Sequence, residues 1–304
     1  MHDVYAYGII ARSTLFTLDG DFPPRGGYAE LDGVAELGDT VGGEAAGGAY
    51  ALARLGVATK LDGSWLGADE ASGQIIGLLS DAGVDCSRIT LTDEAETLRE
   101  FVVADGDVKT VFGNYIRVLD GDRAWNEPSG DDIQASRMVC LDPFFGEQSQ
   151  QAVAMCVEAR VPYVTIDVLP ETEICRHATC VVVSQDYLSR FAGGMDRREA
   201  FAAYAAECAG LVVLTNGAAE VLFGYRGSEP ESFAPFNVDV VDTTAAGDAI
   251  RAGIIYGLLA GQGTQEVIRT GCAVAAMVCQ TMPGFINSPT ELDLRDFLRT
   301  SHTA

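Results

Sequence analysis

The chain has 304 residues, with 44 Asp and Glu against 20 Lys and Arg, a formal net charge of −24. That balance excludes nucleic acid and anionic membrane surfaces as partners, because phosphate binding needs clustered basic charge. Neither lysine, Lys60 or Lys109, follows a glycine-rich loop as a Walker-type phosphate loop requires, and His2, His177 and His302 are too scattered for a zinc-hydrolase pair or a Ser-His-Asp triad.

Short apolar runs alternate with Ala- and Leu-rich segments of helical period. In chain order, this predicts a strand over Val4–Ile10, short extended runs broken by Gly and Pro over 11–39, and helices over Ala46–Leu55 and Gly73–Ala82. Two alternating strands, Leu98–Ala104 and Val108–Phe112, flank Asp105-Gly106, a strong hairpin signal. Then come strand Met138–Leu141, helix Gln148–Ala159, strands Tyr163–Ile166 and Cys180–Val183, helix Arg198–Ala209, strand Leu211–Thr215 and helix Gly247–Ala260. The alternation predicts a layered α/β fold with a mostly parallel central sheet, in one domain over 1–304. The segments at about 11–41 and 97–115 break it, and are expected to form a small second sheet, a lid that excludes water from a reaction below.

The eight cysteines form no C-x-x-C pair and several sit inside apolar runs, so they read as reduced core thiols; Cys175, His177 and Cys180 lack a fourth metal ligand nearby. The N-terminus has no basic and apolar leader, and no apolar run reaches the ~18 residues of a membrane span, which predicts a soluble, cytoplasmic protein.

The most informative stretch is Val240 to Gly253, where an apolar strand passes through a Thr-rich turn and small residues into a helix with an acid in its first turn. The free N–H groups and positive dipole end of such a helix make an anion site without a lysine. Asp248 beside it can accept a proton from a substrate hydroxyl while the amides hold charge developing on a phosphoryl group. Alone, Asp248 would read as an ordinary acid in a first helical turn.

Asp242-Thr243-Thr244-Ala245-Ala246-Gly247-Asp248 resembles the C-terminal signature of the ribokinase (PfkB) family of carbohydrate kinases, usually D-T-x-G-A-G-D, with Ala245 in place of the first Gly. Upstream, Gly42-Gly43-Glu44-Ala45-Ala46-Gly47-Gly48-Ala49 through Gly56 resembles the family's G-G-x-x-x-N-x-A-x-x-x-A-x-L-G pattern. Weaker likenesses fall at Gly67-Ala68-Asp69 with Gly73, at Leu78 to Val84, at Thr215-Asn216-Gly217 and at Gly284 to Pro289, and Val181 to Asp186 is most like the ketohexokinase branch.

The resemblance implies a ribokinase-like α/β/α domain with a β-sheet lid, in a kinase that moves the γ-phosphoryl group of ATP, with Mg2+ and a monovalent cation (K+), to a hydroxyl of a small sugar, polyol or nucleoside. It implies Asp248 as catalytic base, with the backbone of Ala245, Ala246 and Gly247 as anion hole. Ser13, Gly42, Gly43 and Gly47 would line the acceptor site; Ser184, Thr215, Gly217 and Gly247 would meet the nucleotide. Asp242, Thr244 and Ser288 would border a cation loop closed by 283–288, and the lid would pair two chains as a homodimer.

Three positions depart from the pattern. Ser13 stands where a sugar-gripping Asp is usual, Gly47 where an Asn is, and Tyr187 where the glutamate of Asn-x-x-Glu helps organise Mg2+. Ribose and fructose are therefore not assumed as acceptors, since Ser13 is a weaker handle than a carboxylate and Gly47 offers only backbone. Arg12 either faces the pocket and favours an acidic substrate or lies solvated on a strand face. A non-catalytic binder keeping the fold is the rival reading, opposed by the intact Asp248; a Rossmann dehydrogenase is excluded because no G-x-G-x-x-G follows the first strand.

Overall fold

The computed structural model describes residues 2–18, 21–28, 34–105, 108–191 and 195–301. Its first half runs β1 (Val4–Gly8), β2 (Ala11–Leu18), β3 (Val34–Gly42), α1 (Glu44–Arg54), β4 (Thr59–Gly63), β5 (Leu66–Gly67), α2 (Glu70–Asp81), β6 (Leu91–Thr92), β7 (Leu98–Asp105), β8 (Val108–Gly113), α3 (Tyr115–Leu119) and α4 (Gly130–Ala135). The second half runs β9 (Met138–Leu141), α5 (Glu147–Ala159), β10 (Tyr163–Ile166), α6 (Glu173–Arg176), β11 (Cys180–Val183), α7 (Gln185–Phe191), α8 (Arg197–Glu207), β12 (Leu211–Leu214), β13 (Val221–Gly224), β14 (Glu231–Phe233), α9 (Ala246–Leu259), α10 (Thr264–Cys279) and α11 (Glu291–Thr300).

Short runs buried from end to end form the centre of an eight-stranded sheet ordered β14-β13-β12-β11-β10-β9-β1-β4. From β12 to β4 every pairing is parallel, which demands cover on both faces and explains the unbroken apolar runs. Alternate residues serve two cores. Val4 and Ala6 pack with α1, α9 and α10, while Tyr5 and Tyr7 pack with α5 and α8 on the other face.

The differences from expectation have local causes. β1 stops at Gly8 because the amide of Ile9 turns to the carboxylate of Asp142, 2.8 Å away. The edge strand β4 escaped notice because Lys60 and Asp62 interrupt its apolar pattern; their charges are met by Asp132 at 2.7 Å and Arg88 at 2.8 Å. The antiparallel pair β13–β14 and the helix α10 extend the layers beyond what the sequence singled out.

The second sheet, ordered β3-β2-β7-β8, is the expected lid sheet. β2 pairs in parallel with β7 and antiparallel with β3, with an irregularity between Leu15 and Phe16. Gly106 of the expected Asp105-Gly106 turn, residue 107, and residues 19–20 and 29–33 of the first lid segment lie outside the described residues, as does His302. Among the described residues no helix is long and apolar enough to cross a membrane.

Candidate active site

The turn before α9 brings the expected groups together. Ala245 caps the helix with a left-handed backbone, φ 61°, a conformation that glycine adopts without cost, and its carbonyl accepts the amide of Ala249 at 2.9 Å. Asp248 follows in the first turn with its side chain 16% exposed. Burial dominates its chemistry, outweighing the attraction of Arg251, and with Asp142 adding repulsion pushes its pKa up to about 7. A carboxyl poised there can take a proton at neutral pH.

Glycines let α1 reach this acid. A Cβ on Gly47 would lie 3.1 Å from Asp248 Oδ2, and one on Gly48 would lie 3.5 Å from Arg251 Nη2. Gly43, with φ 91°, starts the helix at a point where a Cβ would lie 2.4 Å from the carbonyl oxygen of Ile9. Beneath them Arg251 donates to Asp142 at 2.7 Å, both side chains without exposure, and to the carbonyl of Glu44. The other oxygen of Asp142 accepts the amides of Ile9 and Ala45, each at 2.8 Å, so a single buried ion pair fixes the root of the lid, the start of α1 and the first turns of α9. Arg251 Nη2 stands 3.8 Å from Asp248 Oδ1.

A cavity of about 160 Å³ lies between this floor and the inner face of the lid. Ser13, Gly42, Gly43, Gly47 and Asp248, the residues that the sequence reading set at the acceptor, line it together with Asp242, Thr244 and Ala245. So do Glu44, Glu100, Lys109 and Tyr115, to which the sequence reading gave no role. Four polar atoms of its lining, Ser13 Oγ, Thr40 Oγ1, Glu44 Oε2 and Thr244 Oγ1, are buried without a hydrogen-bond partner among the described residues. Unpartnered polar atoms gathered on one cavity are the mark of a site built for a polar ligand. Arg12 does not line it; its Nε pairs with Asp39 at 3.2 Å, and the cation facing the cavity is Lys109.

Of the positions expected to meet the nucleotide, Ser184, Thr215 and Gly217 lie at or just beyond the carboxyl ends of β11 and β12, and Gly247 lies in the first turn of α9; none of the four lines this cavity. Ser184 donates its amide and hydroxyl to Asp167 at 2.7 and 2.9 Å, and burial raises the Asp167 pKa above its usual range. Thr215 donates its amide to Val183, and Gly217 takes a left-handed φ of 53°. Cys175 and Cys180 are core residues, and His177 sits at the surface against Glu173.

Of the residues expected to border a cation loop, Asp242 and Thr244 lie together in the turn before α9. Buried Asp242 accepts the amides of Thr244 at 2.8 Å and Gly284 at 3.0 Å, tying the turn before α9 to 283–288. A buried carboxylate whose partners are neutral amides, beside the unpartnered hydroxyl of Thr244, fits a monovalent cation with oxygen ligands. The hydroxyl of Ser288, the third expected residue, donates to the carbonyl of Phe285 at 2.7 Å.

The chain matches the pfkB family of carbohydrate kinases over residues 1–291. It is 38% identical over 79 residues to 1-phosphofructokinase of Escherichia coli K12, covering 26% of this chain and 25% of that protein. Its alignments with such curated relatives span only a fifth to a quarter of their length. Among solved structures, the ribokinase of Arabidopsis thaliana complexed with ribose and ATP superimposes with a TM-score of 0.81 at 20% identity, over 99% of both chains. The nucleoside kinase of Burkholderia thailandensis in complex with inosine does so with a TM-score of 0.75 at 18% identity, over 98% of this chain and 97% of that one.

Proposed function

The chain belongs to the PfkB family of carbohydrate kinases, and on that premise we propose that it transfers the γ-phosphoryl group of ATP to a hydroxyl of a small sugar, polyol or nucleoside. Asp248 takes the hydroxyl proton as the new O–P bond forms; the bond between the γ-phosphorus and the bridging oxygen breaks, and ADP leaves with that oxygen. The amides around Ala245, Ala246 and Gly247 hold the charge that develops on the transferring group. The lid covers the acceptor and excludes water.

The nucleotide would lie across Ser184, Thr215, Gly217 and Gly247. Magnesium bound to its phosphates supplies charge neutralisation there, and a potassium ion bordered by Asp242, Thr244 and Ser288 would steady the anion-hole turn. The observation that carries the proposal is Asp248: a carboxyl with a pKa near 7, at the start of a helix, facing a cavity ringed with unpartnered polar atoms. Proteins of the same fold with ribose or inosine bound support the acceptor classes, and the one with ATP bound supports the donor. We propose further that two chains pair through the lid, whose outer face exposes Phe101 and Phe112; light scattering on the purified protein tests this.

The deciding experiment is ADP release from MgATP with added potassium, across sugars, polyols and nucleosides, for the wild type and Asp248→Asn. Turnover with an acceptor that the variant lacks is expected. Equal turnover in both would overturn the role of Asp248, and silence from the wild type across the panel would overturn the kinase reading.

A further inference from the structure

The lid strands place one residue type where its neighbours do not explain it. In β7, Leu98, Val102 and Ala104 are buried on one face, and Glu100 interrupts them on that same face. Its register partner on β2 is Ser13, and the partner of Ser13 on β3 is Thr40, so Thr40, Ser13 and Glu100 form a polar row across three strands. That row lines the cavity above Asp248.

The row is built to admit the carboxylate. Ser13 is short, and Gly42 has no side chain where a Cβ would lie 2.9 Å from Glu100 Oε1. Opposite Glu100 on β8 is Gly113, over which the ring of Tyr115 packs; a Cβ there would lie 2.4 Å from Tyr115 Cδ2. The Tyr115 hydroxyl donates to Glu100 Oε2 at 2.7 Å, occupying one oxygen and turning the other toward Gly42 and Ser13. Burial, and then the charge of Glu100, raise the phenol pKa, so Tyr115 remains a donor throughout the neutral range. Ser13 is 2% and Thr40 4% exposed, and neither hydroxyl oxygen has a partner among the described residues. A carboxylate fixed beside two unpartnered hydroxyls offers acceptors on one side and adaptable donors on the other, which matches the hydroxyls of a polyol.

We propose that Glu100, held by Tyr115 and flanked by Ser13 and Thr40, is the acceptor-binding carboxylate of this kinase, selecting a neutral polyhydroxyl group from the lid side of the cavity. This deepens the kinase reading and rests on it. Glu100 binds the hydroxyls that do not react, and Tyr115 positions it. Because the grip comes from a lid strand, the acceptor site is complete only while β7 covers α9.

The test uses Glu100→Gln and Tyr115→Phe, with D-ribose, D-fructose and inosine as acceptors and MgATP as donor. For the acceptor that the wild type phosphorylates, Glu100→Gln is expected to raise KM about tenfold or more with kcat within about threefold, the signature of lost binding to a charged acceptor group. Tyr115→Phe keeps the carboxylate and loses its positioning, for a rise of about threefold; it decides the matter if Glu100→Gln fails to fold. An unchanged KM in a folded variant overturns the inference, while its turnover leaves the kinase reading standing. If the wild type phosphorylates none of the three, calorimetric binding of the same sugars and inosine decides: weaker binding to Glu100→Gln supports the inference, and equal binding, or none to the wild type, overturns it.

Discussion

Arg251 and Asp142 meet at 2.7 Å with neither side chain reaching solvent, and that contact joins the lid root, α1 and α9 at one point. Removing one partner of such a pair leaves an uncompensated buried charge, which costs about 3–5 kcal/mol. Arg251→Met is therefore expected to lower the unfolding free energy by that order. The double variant Asp142→Asn with Arg251→Met is expected to recover part of the loss, because the asparagine oxygen still accepts from Ile9 and Ala45. Chemical denaturation of the four proteins in the cycle measures both.

The pH profile of turnover reports on Asp248. With its pKa at about 7, the proposed base would be protonated and idle below neutrality, so kcat/KM is expected to rise through about pH 7 and level off above it. Lys109 favours the charged form of Asp248, so Lys109→Met is expected to move the midpoint upward. A midpoint that stays in place in Lys109→Met shows that this lysine does not act on the base.

Stability should follow the same group with the opposite sense. Since the folded pKa of Asp248 lies above its unfolded value, the unfolded chain releases the proton first as pH rises, and stability declines from about pH 4 to about pH 7. Asp248→Asn escapes that loss. It is expected to be more stable than the wild type at pH 8 by an amount on the order of a few kcal/mol, with the difference closing toward pH 4, as thermal melts at the two pH values show.

Gly47 stands against Asp248, the proposed base. Gly47→Ala places a methyl group 3.1 Å from Asp248 Oδ2, and the acid has to give way by a few tenths of an ångström. A loss in kcat of about tenfold is expected, with melting little altered, because catalysis is more sensitive to small displacements than stability is. Steady-state kinetics beside a melting curve separates the two.

Ala245 carries a backbone strain that can be relieved. A left-handed alanine costs about 1 kcal/mol relative to glycine, so Ala245→Gly is expected to raise stability by about that amount and to retain turnover. Denaturant midpoints test it.

Much of this was legible in the residues. Fully buried parallel strands announce themselves as apolar runs, and the Asp248 turn combines small residues with an acid in an order that ordinary helix caps do not require. The missed groups are those whose meaning depends on register. Glu100 becomes a cavity residue only when β7 lies beside β2, though a lone acid on the apolar face of a predicted hairpin was a usable signal. Arg251, a single cation within a mostly apolar helix, likewise called for a buried acid, and Asp142 at the end of the apolar strand β9 answers it. Arg12 carried no such signal, since both sides of a lid strand looked alike before its neighbours were known.

The chain has only two side-chain amines, and they differ in reach: Lys60 is tied to Asp132 with its side chain 15% exposed, whereas Lys109 is exposed on the strand that overhangs the cavity. Acylating reagents thus meet one accessible lysine at the mouth of the site. A fluorophore can be attached there without engineering the chain, and an occupant that shields this amine would register as protection from labelling.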